Sequence, residues 1–178
     1  MRVGAFPAAD EGLDEGGLRK ATKYRPAAST SSAWLSSPLL AAKQTANALG
    51  VMAVVDQALC DIDHGPWAGR TFADLQATDP VNLAAWMSDP VRGAPGGESL
   101  DDVGARLADW LDRQAHSMTP LVAVTHPMVI RAMIATALNI PAAGTLRIDI
   151  APLSMTVLSF NSGWRLRAIR PAGMLIPK

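Results

Sequence analysis

Apolar and polar positions along the chain alternate between helical and strand periods. Glu15 to Lys23 has helix-forming composition, with Leu18 and Ala21 spaced to share a face, and Pro26 stops the run. Ala33 to Ser36 is an apolar run of strand length. Ser37-Pro38 then opens LLAAKQTANALG, where Ser37 fits an N-cap, Pro38 the first helical position, and Gly50 the end. Val51 to Val55 predicts a second strand. Two helical stretches follow, near Thr71 to Gln76 and Val81 to Met87. Ser99 then caps a long amphipathic helix in which Leu100, Val103, Leu107, Trp110 and Leu111 recur at helical spacing, with Asp102 at the capping-box position.

Leu121 to Pro141 is the most apolar stretch and has the length of a membrane span, but His126, Pro127 and Arg131 interrupt it, which makes insertion costly. It divides instead into a strand, PLVAV, and a helix from Pro127. Beyond Ile140, the runs LRIDI, SMTVLSF and WRLRAIR are rich in β-formers. Strands alternating with helices predict an α/β domain, residues 1–178 as one unit, with a mostly parallel sheet flanked by helices. The segments Asp61 to Arg70 and Asp89 to Glu98 are turn-rich and read as loops.

Composition narrows the partners. Sixteen Lys+Arg balance sixteen Asp+Glu in 178 residues, and 49% of positions are hydrophobic. That argues against a nucleic-acid binder and against disorder. The single cysteine, Cys60, excludes an internal disulfide, and the N-terminus has no signal-peptide run, so a cytoplasmic location is expected. Scattered His residues suggest no metal, and PGGES follows no strand, so no cofactor is expected.

Open α/β sheets bind ligands at the carboxyl ends of their strands. His126 falls there, between VAVT and a helix whose N-terminal amides suit an oxyanion. Pro127 lacks an amide hydrogen, so the Met128 amide and its successors would serve. The plainer alternative is that His126 only packs or caps a strand end.

Four blocks in order carry a family resemblance: SSPLLAAKQTANAL (Ser36 to Leu49), LCDIDHGPWAGRTFADL (Leu59 to Leu75), PGGESLDDVGARLADWL (Pro95 to Leu111) and VAVTHPMVIRAM (Val122 to Met133). Together they resemble the histidine phosphatase superfamily in its phosphoglycerate-mutase-like branch, from about Asp10 onward. The resemblance implies a three-layer α/β fold and phosphomonoester chemistry. In that chemistry a histidine of an Arg-His-Gly motif takes the phosphoryl group, a carboxylic acid protonates the leaving oxygen, and arginines with a second histidine hold the phosphate. His126 matches the phosphate-holding histidine, and Asp61 matches the general acid.

Departures from the pattern matter as much. No Arg-His-Gly tripeptide is present, and Ala41 stands where the helix block usually has arginine. Lys43 lies two residues on, a rotation of about 200°, and should face elsewhere. His64 reads as a residue of the DIDHGPW block and not a relocated nucleophile, His116 as a helix-end residue, Arg131 as an anchor of its helix, and Trp67 as a packing residue.

The resembled fold places its first strand inside the sheet, and that strand has no counterpart in the sequence. Its place would be filled by a segment upstream of Met1, by Arg2 to Pro7, or by a partner chain, which makes a homo-oligomer one expectation. Three functions stay open. One is a phosphatase or phosphomutase with impaired turnover, acting on a small phosphorylated molecule. A second is an inactive pseudo-phosphatase that binds phosphate ligands or protein, which Ala41 favours. The third is a purely structural or interaction role.

Overall fold

The computed structural model describes residues 4–26 and 31–172. Helix α1 (Glu15–Lys23) is capped by the Asp14 carboxylate on the Gly17 amide. Strand β1 (Ala33–Ser36) follows, then α2 (Leu40–Ala48), β2 (Val54–Val55), α3 (Phe72–Thr78), α4 (Pro80–Ser88), α5 (Leu100–Ala115), β3 (Leu121–Val124), α6 (Pro127–Leu138), α7 (Ala142–Thr145), β4 (Met155–Phe160) and β5 (Trp164–Arg170).

The three-stranded sheet runs β2-β1-β3 and is parallel throughout, while β4 and β5 form a separate antiparallel hairpin. Helices flank the parallel sheet. Leu100, Val103, Leu107, Trp110 and Leu111 of α5 are buried against Val129, Ala132 and Met133 of α6, together with Leu59 and Ile62. Burying one such side chain contributes about 1.5–3 kcal/mol, so this helix pair anchors the core. A second cluster joins Phe6, Trp67, Leu75, Leu83 and Ala94.

Several sequence expectations hold to the residue. Helix α5 opens on the full Ser99–Asp102 capping box, His116 is its C-cap residue, and Trp67 is 2% exposed. Of the two α1 residues spaced to share a face, Ala21 is buried and Leu18 stays 47% exposed.

Others are corrected. Helix α2 starts at Leu40, not Pro38, because the Ser37 amide still donates to the Val124 carbonyl and so belongs to the sheet ladder. The Ser37 hydroxyl accepts from the Leu39 amide, a partial cap one turn early. Strand β2 keeps only Val54–Val55, since the Val51 amide closes the turn after α2 on the Ala46 carbonyl. LRIDI forms no strand. Leu146 caps α7, and the Arg147 and Ile148 amides donate back to Gly144 and Thr145.

Residues 4–7 do not fill the sheet. Ala5 bridges Thr71, and the Phe6 amide donates to the Arg70 carbonyl, placing Phe6 in the second cluster. Met1 to Val3 lie outside the described residues. No helix among the described residues is long and apolar enough to cross a membrane.

Candidate functional site

His126 is the N-cap residue of α6, the second residue after β3, with extended backbone (φ −111°, ψ 157°). The break in secondary structure that the sequence suggests at Thr125-His126 thus puts an imidazole at the carboxyl end of a parallel strand. The adjacent Thr125 hydroxyl donates to the Leu59 carbonyl at 2.7 Å, which ties the loop carrying Asp61 to this strand end.

That tie brings the two candidate residues together. Nδ1 of His126 lies 3.6 Å from Oδ2 of Asp61, and both side chains are largely buried. The separation is ion-pair range and too long for a hydrogen bond. Oδ1 of Asp61 accepts from the Ile62 amide at 2.9 Å. Burial pushes the Asp61 carboxyl above its ordinary range, only partly opposed by the nearby His126. Burial likewise lowers the proton affinity of His126, against the pull of Asp61. A carboxylic acid that keeps its proton toward neutrality is what a general acid requires.

Sequence reasoning missed the residues that hold this loop. Arg106 donates from Nη1 to the Ala58 carbonyl at 2.6 Å and from Nη2 to those of Cys60 and Asp61 at 2.7 and 3.2 Å, while its Nε meets Oε1 of Glu98 at 3.0 Å. Glu98 in turn accepts from the Asp63 amide at 3.0 Å, and its own amide donates to the Asp63 carbonyl. A guanidinium on the apolar stripe of α5, between Val103 and Trp110, was the available signal, since charge in a buried stripe needs partners. The PGGES loop lies backbone to backbone on this segment. A methyl at Gly97 would collide with the Asp63 carbonyl, which explains a glycine there.

The remaining candidates fall apart from the pair. Nε and Nη2 of Arg131 donate to the Ile148 carbonyl at 3.2 and 2.9 Å, so this residue anchors α6, as its spacing from His126 suggested. Lys43 is exposed, while Ala41 lines the groove beside His126. His64 is half-buried, its ring 5.0 Å from that of Phe6, and its Nδ1 has no hydrogen-bond partner. Met128 sits in the first turn of α6, its sulfur 3.5 Å from Nη1 of Arg131.

Comparison with known proteins gives the family. The chain matches the histidine phosphatase superfamily (branch 1) over residues 5–170. It is 33% identical to a bifunctional protein of Mycobacterium tuberculosis over 178 residues, covering 92% of this chain and 48% of that protein. The chain thus spans about half the length of the curated relatives it matches at that coverage. Mycobacterial glucosyl-3-phosphoglycerate phosphatase complexed with VO3 superposes with a TM-score of 0.75 at 31% identity, covering 92% of this chain and 90% of that one. The same enzyme with inorganic phosphate gives a TM-score of 0.77 at 29% identity, covering 95% and 92%. A match along nearly the whole chain, joined to a histidine and a carboxyl at the carboxyl end of a parallel strand, makes this protein a member of the histidine phosphatase superfamily, branch 1.

Proposed function

We propose that the carboxyl end of β3 is a phosphomonoester site, a phosphatase or phosphomutase centre whose turnover is impaired in this chain. The observation that carries the reading is the buried Asp61–His126 pair, 3.6 Å apart. His126 and the Met128 amide at the start of α6 hold the phosphate, where the helix dipole favours an anion. Asp61, its carboxyl pushed above the ordinary range by burial, is the proton donor to the leaving oxygen when water attacks the phosphorus and the bond to that oxygen breaks, giving inorganic phosphate and the free alcohol. The ligand is a small phosphorylated molecule. Support comes from the phosphate and VO3 named with the mycobacterial phosphatase.

Impairment follows from the inventory of cations. The sequence has no Arg-His-Gly tripeptide, Ala41 occupies the helix position expected for arginine, and Arg106 and Arg131 are committed to backbone carbonyls. A transferring phosphoryl group needs cationic stabilisation. Those same observations favour a second reading, in which the chain binds phosphate ligands without turning them over.

Hydrolysis of an aryl phosphate by the chain, by His126→Ala and by Asp61→Ala, together with thermal protection by inorganic phosphate, tests both. Slow turnover lost in each variant supports the enzyme. Phosphate protection that vanishes in His126→Ala, without turnover, supports the binding module. Neither turnover nor protection overturns the phosphate site.

A further inference from the structure

Asp61 and His64 belong to one pinned segment. The Asp63 amide donates to Oε2 of Glu98 at 3.0 Å, its carbonyl accepts from the Glu98 amide at 2.8 Å, and its Oδ1 accepts from the Gly65 amide at 2.8 Å. A methyl at Gly65 would lie 2.8 Å from the Gly96 carbonyl, so the two loops touch along their backbones. His64 then opens the single 3-10 turn Gly65–Trp67, its carbonyl accepting from the Trp67 amide. Its ring meets that of Phe6 edge-on, with centroids 5.0 Å apart, and the buried Phe6 packs in turn on Phe72 and Trp86 at 5.2 and 4.9 Å. A ring held this way is a flat surface fixed before any ligand arrives.

We propose that His64 is the specificity-determining residue on the leaving-group side of the site, and that the alcohol it selects is uncharged and aromatic. The inference rests on the phosphomonoester reading above and names its substrate class. With the phosphate at His126 and the leaving oxygen at Asp61, the alcohol extends away from His126 and passes along residues 62–64. Three observations specify its chemistry. First, neither ring nitrogen of His64 has a hydrogen-bond partner among the described residues, and only Nδ1 is closed off from solvent, so the Nε2 edge is left for a ligand. Second, burial favours the neutral imidazole, and the charged groups whose fields reach it are both carboxyls, Asp61 and Asp63. Third, the arginine whose field reaches Asp61 is Arg106, which is committed to three carbonyls and to Glu98. A carboxylate or second phosphate on the alcohol would face the Asp63 carboxylate, whereas a flat neutral ring stacks on the imidazole.

Calorimetric titration of the full chain with methylphosphonate, benzylphosphonate and 4-carboxybenzylphosphonate tests this without requiring turnover. The methyl compound reports the phosphate site alone, the benzyl compound adds the ring, and the carboxybenzyl compound adds the charge. Benzylphosphonate is expected to bind about tenfold more tightly than either of the others. His64→Phe, which keeps a flat ring, should retain the preference for benzyl over methyl, and His64→Ala should cut it to about twofold or less. Asp63→Asn keeps an acceptor for the Gly65 amide and removes the charge, so the penalty on the carboxylate should fall to about threefold.

Equal affinity of the parent chain for the benzyl and methyl compounds overturns the aromatic selection. Equal or tighter binding of the carboxybenzyl compound overturns the exclusion of anions. Both ratios are read on the parent chain, so neither depends on the folding of a variant, and a preference that survives in His64→Ala overturns the role of His64. A chain that binds none of the three overturns the phosphate site itself and this inference with it, whereas binding of methylphosphonate without selection overturns this inference alone.

Discussion

The hydroxyl of Ser37, the first residue after β1, lies 2.8 Å from Nε2 of His126, the second residue after β3. Ser37 is fully buried, and its oxygen already accepts from the Leu39 amide. The hydroxyl therefore links the end of α2's leading turn to the Nε2 side of the ring, while Nδ1 faces Asp61. The serine expected to cap a helix instead holds the ring of the site histidine.

Ser37→Ala should therefore destabilise the fold by about 1–3 kcal/mol, the cost of leaving a buried nitrogen without its partner. Urea denaturation measures this. A midpoint equal to that of the parent would show that the hydroxyl does not hold the ring.

Asp61→Asn should separate stability from activity. A carboxyl whose folded pKa is raised stabilises the fold while it is protonated and loses that contribution as pH climbs from the unfolded toward the folded value. The amide keeps an acceptor for the Ile62 amide and carries no charge. Above that window the variant should match or exceed the parent in melting temperature, while any turnover of aryl phosphate is lost. A variant less stable at pH 8 than at pH 5, relative to the parent, would contradict the raised carboxyl.

His64 and His126 work in the opposite direction. Burial lowers both below the ordinary 6.5. The unfolded chain therefore takes up protons that the folded chain refuses, and stability falls as pH drops from about 7 to about 5. His64→Gln should flatten that slope by roughly half, read as melting temperature across the window. An unaltered slope would mean that His64 titrates normally in the fold.

Arg106→Met keeps much of the side-chain volume and removes the fork. Three carbonyls of the segment 58–61 lose their donor and Glu98 loses its ion pair, so a loss of about 2–4 kcal/mol is expected. Because the same segment carries Asp61, phosphate protection should weaken in parallel. Chemical denaturation with and without phosphate checks both, and Arg106→Lys, which cannot reach three carbonyls at once, should resemble the Met variant.

The local elements were legible because they depend on neighbours in sequence. The Ser99–Asp102 box, the helix from Pro127 and the run Ala33 to Ser36 each declare themselves within a few residues. Ordered blocks also pointed to the family and to His126 and Asp61. Tertiary structure alone decided how the strands assemble: LRIDI has the composition of a strand, but its chain is held by the α7 turn and by Arg131. It alone joined Ser37 to His126 across 89 residues and Arg106 to Ala58 across 48. Such contacts form between groups that only the folded sheet brings into reach, and there burial, not residue type, sets which way Asp61, His64 and His126 hold their protons.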